Sequence, residues 1–406
     1  AQRIVSRLLE RRPRPGLEVH PQSEPGLLQR EASKQRRLWP LRRLFARIPT
    51  LLPALKPCLL MSPLSVAQYL GEIDPPIEFD LVLFDEASQI LPADAIGAIG
   101  RAKQVVVMGD DKQLPPTRFF MVSTLDEPMT ELEDEAPPES ILEACQRVLP
   151  KQMLEWHYRS RHEALIACSN RWFYNNKLIT FPSPAADDRA VEFIYVPDGV
   201  YDRGGRQTNR QEARRVVELI IEHVTREPDR SLGVITFSEA QMEEITRQLN
   251  DYRRRQPELE PLLREDGSEG FFVKNLENVQ GDERDVIILS VGHGRDASGR
   301  LLMNFGPLTQ QGGERRLNVA ITRARERVKV VASFRPEEID LSRVAESRRE
   351  EGGLVRLRQY LEFAEKGPAA LLAPLTSEGG HPESPFEVAV ADALHARGLT
   401  VLSQVG

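Results

Sequence analysis

Residues 79 to 89 read FDLVLFDEASQ, an apolar run that stops on two adjacent carboxylates, Asp85 and Glu86. Like charges side by side repel, and burying either would require desolvating it. A strand inside a sheet can therefore hold such a pair only at its end, where it meets solvent or a cation. A bare Asp-Glu pair is most simply a solvated strand end followed by a turn. Whether this one has a further task depends on what the rest of the chain brings to it.

Similar apolar runs recur: QVVVMG (104 to 109), VEFIYV (191 to 196), LGVITF (232 to 237), DVIILSVG (285 to 292) and RVKVVASF (327 to 334). Between several of them lie segments of helical period, such as RQEARRVVELIIEHVTRE and EAQMEEITRQLNDYRRR. This alternation predicts an α/β architecture with mostly parallel sheets covered on both faces. Ligands of such sheets bind beyond the carboxyl ends of the strands, and the unusual residues are expected there.

Four polar segments follow or precede these runs. In VVVMGDDKQLPP, Gln113 leaves a strand beside Asp110 and Asp111, and two prolines stiffen the exit. In LEWHYRSRHEALIACSN, Tyr158 and Arg159 fall at a strand-to-helix transition, where Tyr can stack on a base and Arg can fork onto phosphate oxygens. In ENVQGDERDVIILS, Gln280, Gly281 and Glu283 sit just before a strand, with Gly281 allowing a ligand close to the backbone. In GERRLNVAITRARERVKVV, Arg316, Asn318, Arg323 and Arg325 are expected on an amphipathic helix that buries Leu317, Ala320, Ile321 and Ala324. Each segment alone is also compatible with a polar turn or a solvated helix face.

The length of 406 residues suits two or three domains, and 40% hydrophobic residues suffice for large cores. The net charge of −7 gives no global sign of a polyanion partner, but it is unevenly spread. Residues 1 to 60 carry 13 Lys/Arg against 4 Asp/Glu, whereas residues 125 to 143 carry neither Lys nor Arg. The basic arm could touch nucleic acid, and the acidic stretch reads as a solvated loop. Cys58, Cys145 and Cys168 are scattered, so neither a disulfide framework nor a zinc site is suggested, and His157 and His162 fit no common ligand spacing with Cys168. LLPALKPCLLM is too short and too broken to span a membrane. No signal-peptide profile is present, which fits a cytoplasmic protein.

Taken together, DEASQ, GDDKQLPPT, HYRSR, VQGDERD and RRLNVAITRAR resemble motifs II to VI of superfamily 1 helicases, in that order. The resemblance covers roughly residues 55 to 335 and is best to the 5'-to-3' branch that includes the nonsense-mediated-decay helicase, senataxin and their bacterial relatives. It implies a P-loop NTPase with two RecA-like domains that uses ATP and Mg2+. Asp85 would hold Mg2+, and Glu86 would orient and deprotonate the attacking water. Gln113 would contact the γ-phosphate or that water, with Arg159 and Arg323 as arginine fingers. Tyr158 would stack on adenine and Glu283 would reach the ribose, while Gln280, Gly281 and Arg316 complete the nucleotide set. Ser62, Thr236 and Asn275 match positions near the strand-binding groove.

The chain departs from the family in lacking GxxxxGK[ST], the Walker A loop that cradles phosphates. The expectation is a fragment whose Walker A loop lies upstream of Ala1. Residues 1 to 56 would be a basic helical insertion, and 57 to 147 the later half of the first, incomplete RecA-like domain. Residues 148 to 345 would be the second RecA-like domain, and 346 to 383 a helix and linker. Residues 384 to 406 resemble the start of a Vsr-like, restriction-endonuclease-like α/β domain, with Glu387 at the first-helix glutamate. The implied function is an ATP-dependent helicase or translocase on single-stranded nucleic acid, DNA rather than RNA, in which ATP closes a cleft between the RecA-like domains. An RNA or ribonucleoprotein remodelling ATPase, and a nucleic-acid-binding scaffold with a decayed ATPase, are the alternatives.

Overall fold

The alternation of apolar runs with helical segments is realised as two parallel α/β units. The structure, a computed structural model, describes residues 20–116, 137–181, 189–264, 269–343, 352–371 and 385–397, with Ser6, Leu9, Glu10, Ser183 and Gly267 besides. The first packing unit spans residues 1–111 and 115–151, and the second 112–114 and 152–406.

In the first unit, helices α1 (Glu24–Ala32), α2 (Leu41–Phe45), α3 (Leu51–Leu55) and α4 (Pro63–Leu70) precede strand β1 (Phe79–Phe84), helix α5 (Pro92–Ile99), strand β2 (Ala102–Val107) and helix α6 (Ile141–Gln146). The helix starts have local causes. Ser23 and Ser62 cap α1 and α4 by accepting the backbone N–H of Gly26 and Ser65. The Glu24 carboxylate accepts the N–H groups of Thr50 (3.1 Å) and Leu51 (2.6 Å), so an acid on α1 satisfies the orphan donors that open α3. Ile48, Leu51 and Leu52 bury against Leu70, Ile73 and Ile77, so the basic segment packs on its own small core.

Strands β1 and β2 pair in parallel, Leu81 opposite Gln104 and Leu83 opposite Val106. Contrary to the expected double cover, Leu81 and Leu83 are 47% and 50% exposed, and Val106 and Met108 are exposed as well. The opposite face carries Phe84, packed with Ala87, Ala95, Ala98, Ile141 and Leu142. Helices α5 and α6 thus cover one side of a two-stranded sheet and leave the other bare among the described residues.

The second unit contains α7 (Ala164–Phe173), β3 (Val191–Tyr195), α8 (Arg210–Arg226), β4 (Leu232–Thr236), α9 (Glu239–Arg255), β5 (Phe272–Asn275), β6 (Arg284–Ser290), α10 (Gly313–Ile321), β7 (Ala324–Ala332), α11 (Gly353–Lys366) and α12 (Pro385–His395). Its five strands are all parallel in the order β3-β7-β6-β4-β5. Here the two-sided cover holds. Leu232, Val234, Val286 and Ile288 face the core built with α8 and α9, while Ile235, Ile287, Leu289 and Val328 face a second core with α10. Helix α11 buries Leu357, Tyr360 and Leu361 in that second core, so the helix drawn from sequence outside the second domain packs inside this unit. Most of residues 1–19 and of the acidic stretch, the 372–384 linker, the Glu387 side chain and residues 398–406 lie outside the described residues.

Candidate active site

In the first unit, β1 delivers Asp85 and Glu86 to solvent at its carboxyl end, and both are exposed. The turn there is built tightly: Met108 donates to the Phe84 carbonyl at 2.8 Å, and Ala87 donates to the Met108 carbonyl at 2.9 Å. Glu86 adopts a left-handed backbone with φ 50°, uncommon for a residue with a Cβ, and its N–H donates to Asp85 Oδ1 at 2.9 Å. Asp85 has no cationic side chain paired with it among the described residues, which suits an oxygen ligand for a hard divalent cation. Mg2+ is ordinarily held by one or two carboxylates with phosphate oxygens and water, so this pair fits it. Among the described residues no group of three or more His, Cys, Asp or Glu gathers as a fuller metal cage. The Ser62 hydroxyl, on the same unit, serves as the α4 cap at 3.2 Å from Ser65 N.

In the second unit the residues of interest fall at both ends of the sheet rather than beyond the carboxyl ends alone, which corrects the expectation from strand polarity. Because β6 and β7 are adjacent and parallel, the residues that precede them lie side by side. Arg284 pairs with Ala324 in register, and Arg284 N–H donates to the Arg323 carbonyl at 3.1 Å. The amino ends of these strands therefore bring Glu283 and Arg323 together. Arg159 Nε joins them at 2.6 Å from Glu283 Oε2, and Arg325 stands 3.8 Å from the other Glu283 oxygen.

Arg323 and Arg325 do not lie on the helix as expected. Helix α10 ends at Ile321, Arg323 occupies the junction, and Arg325 is on β7. The apolar side chains Ala320, Ile321 and Ala324 are all buried as expected, but the chain must turn between them to enter the strand. Arg323 is only 2% exposed. Its Nε donates to the Val319 carbonyl at 2.7 Å and its Nη2 to Thr322 Oγ1 at 2.9 Å. Nη2 also lies 3.4 Å from Oε1 of Gln113, since Lys112–Leu114 pack with the second unit and Leu114 enters its core. Asn318 Nδ2 fixes the same segment by donating to the Lys112 carbonyl at 2.9 Å.

Tyr158 is 86% exposed and presents a free ring face next to Arg159. Beside it, burial together with the Arg159 charge holds His157 below its ordinary pKa, and its ring nitrogen sits 2.8 Å from Ser160 Oγ. Gly281 has φ 88° with nothing within 4 Å of where a Cβ would point, so the loop before β6 offers bare backbone to a ligand. Gln280 precedes it, partly buried. Arg316 projects from α10 to Glu277 at 2.6 Å and to the Gln311 carbonyl.

Thr236 and Asn275 end β4 and β5 and are register partners at the opposite, carboxyl end of the sheet. The Thr236 hydroxyl is buried and donates to the Ser238 carbonyl at 2.9 Å. Near that end lies a buried polar set that the sequence reading missed. Glu212 Oε1 accepts from Ser290 Oγ and Gly292 N–H, both at 2.7 Å, and burial pushes its pKa up to about 8. Asn209, Gln241 and Ser333 are bonded around it. The signal was present: Glu212, Val216, Ile220 and Val224 form one i, i+4 row on α8, and three of those four are apolar.

Comparison with known proteins places these residues in context. Two AAA-domain family models match the chain, one over residues 62–120 and one over 138–335. An uncharacterized ATP-dependent helicase of Mycoplasma genitalium is 39% identical over 278 residues, covering 64% of this chain and 24% of that protein. An uncharacterized ATP-dependent helicase of Methanocaldococcus jannaschii is 27% identical over 270 residues, 63% of this chain and 36% of that protein. The human probable helicase senataxin is 26% identical over 275 residues, 64% of this chain and 10% of that protein. The chain thus spans about a quarter of the Mycoplasma relative it matches.

Proposed function

We propose that this chain carries helicase motifs II to VI of an ATP-dependent superfamily 1 helicase or translocase that moves on single-stranded nucleic acid, DNA in preference to RNA. The observation that carries the reading is that the adjacent amino ends of β6 and β7 carry two side-chain pairs drawn from four separated sequence segments, Arg159 with Glu283 and Arg323 with Gln113. The match to AAA-domain models over the same segments and the names of the relatives support it. In the second unit, Arg159 and Arg323 are the guanidinium groups proposed to meet phosphate charge that develops during transfer. Tyr158 supplies a stacking face for the base, and the Gly281 backbone leaves room for the ribose and phosphates.

In the first unit, Asp85 would hold Mg2+, which when bound neutralises phosphate charge. Glu86 takes the proton of the attacking water. Ser62, Thr236 and Asn275 are the proposed contacts to the strand. Because Thr236 is fully buried, with its hydroxyl on the Ser238 carbonyl and its own carbonyl on the Leu276 N–H, contact at that end runs through Asn275.

The test uses the full-length protein that contains this chain, with phosphate release measured with and without single-stranded DNA. Glu86→Gln should retain ATP and Mg2+ binding while losing about 10^2- to 10^4-fold in turnover. Turnover within a few-fold of the parent would remove Glu86 from the role of base.

A further inference from the structure

The first unit carries a second feature, outside both AAA-domain matches. Between Arg30 and Arg47 the chain holds seven Arg or Lys and one acid, Glu31. Arg30, Arg36, Arg37, Arg42, Arg43 and Arg47 are exposed. They are also drawn together: Arg30, Lys34 and Arg43 stand over the indole of Trp39 at 5.7, 5.2 and 4.9 Å from its ring centroid. The Trp39 backbone is fixed by its N–H to Glu31 Oε2 at 3.1 Å, and Lys34 pairs with the other Glu31 oxygen.

Three cations converging on one neutral ring repel one another, and each cation–π contact returns only about 0.5–1 kcal/mol at an exposed site. The internal counter-charge falls short: Glu31 is used by Lys34, Glu72 meets Arg42 at 3.4 Å, and Arg36, Arg37, Arg43 and Arg47 have no carboxylate partner among the described residues. A polyanion would supply what is missing. The site is almost all arginine, and guanidinium matches phosphate by paired hydrogen bonds better than ammonium does. Leu38 and Leu41 are exposed nearby, as at a membrane surface, but the helix carrying Leu41 has five residues, too few for an interfacial amphipathic helix.

We infer that the surface around Trp39 is a binding site for the phosphodiester backbone of a nucleic acid, separate from the helicase motifs. It rests on no assignment of the nucleotide site. The chain of residues 1–406 is titrated with a fluorescein-labelled 20-nucleotide DNA by anisotropy, without ATP, at several salt concentrations. The Arg36→Ala/Arg37→Ala/Arg43→Ala variant should lose about tenfold or more in affinity. Its slope of log affinity against log salt should fall by about 2, from roughly 0.7 for each of three phosphates. Arg214→Ala/Arg254→Ala/Arg255→Ala, which removes three exposed charges from α8 and α9, should change affinity less than twofold. Tryptophan emission should respond to DNA in the parent chain and not in Trp39→Phe. Equal losses in the two triple variants, or an unchanged signal in Trp39→Phe, overturn the site. Tighter binding to phosphatidylserine vesicles than to DNA overturns the choice of ligand. Matching circular dichroism melts for the triple variants and the parent exclude misfolding as the cause of any loss.

Discussion

Arg159 and Glu283 hold each other at 2.6 Å across the mouth of the β6–β7 amino ends, although the two are proposed to act on different parts of one nucleotide. Both side chains are about one-third exposed, and such pairs contribute roughly 0–1 kcal/mol. The pair therefore opens readily when phosphate arrives.

For this reason Arg159→Ala in the full-length protein should leave thermal stability within about 0.5 kcal/mol, as at other lightly packed surface sites. Turnover should fall by roughly 10^3- to 10^5-fold, the range for arginine fingers. Affinity for single-stranded DNA should hardly move. Saturated turnover that stays intact while strand binding drops would reassign Arg159 to the strand.

Arg323 should behave differently, because it is buried and bonded to Val319, Thr322 and Gln113. Arg323→Ala removes buried hydrogen bonds to Val319 and Thr322; the Thr322 hydroxyl loses its donor at a cost of about 1–3 kcal/mol, while the Val319 carbonyl keeps the Thr322 hydroxyl. A fall in both melting temperature and turnover is expected, with Gln113→Ala reducing turnover alone. A melting temperature for Arg323→Ala equal to that of Arg159→Ala would contradict the buried geometry.

Glu212 gives the second unit a distinctive pH response. The folded chain keeps the Glu212 proton up to about pH 8, whereas the unfolded chain releases it near 4.5. Folding takes up a proton between these values. The associated stability is full below about pH 4.5 and is lost as pH rises through 8, at up to about 1.4 kcal/mol per pH unit. Urea titrations at pH 5, 6, 7 and 8 should show this decline in the parent chain. In Glu212→Gln, which keeps the neutral shape, the slope should flatten, and a slope equal to the parent's would mean that Glu212 is ionised in the fold.

The three cysteines should separate by reactivity. Cys58 is exposed, Cys145 is intermediate with burial raising its pKa, and burial pushes the Cys168 thiol well above the ordinary range. A thiol reagent under native conditions should label Cys58 rapidly and Cys168 only on unfolding. Mass mapping of the modified sites checks this order, and fast native labelling of Cys168 would place it outside the core.

The parallel α/β plan was legible because β1, β2, β3, β4, β6 and β7 are apolar enough to announce themselves, and so were the polar segments beside them. β5 was not, since FVKN is four residues long with Lys274 and Asn275 at its end. The Arg323 environment escaped because a continuous helical pattern through RRLNVAITRAR conceals the turn that follows Ile321. Glu212 escaped because a lone acid in an apolar row reads as a solvated position until the strands that bury it are known. The left-handed Glu86 leaves no mark in residue type, since Glu is not a residue that favours that conformation.

The bare face of the two-stranded sheet has a practical consequence for anyone handling residues 1–406 as a polypeptide in solution. Leu81, Leu83, Val106 and Met108 form a sticky stripe on a sheet that, among the described residues, has just two strands and so two edges without a paired strand. At the concentrations used for crystallisation or NMR, molecules would adhere through this stripe before any specific assembly forms. Converting Leu81 and Leu83 to Lys or Glu would be a rational way to keep the polypeptide dispersed, and sedimentation velocity across a dilution series would register the change.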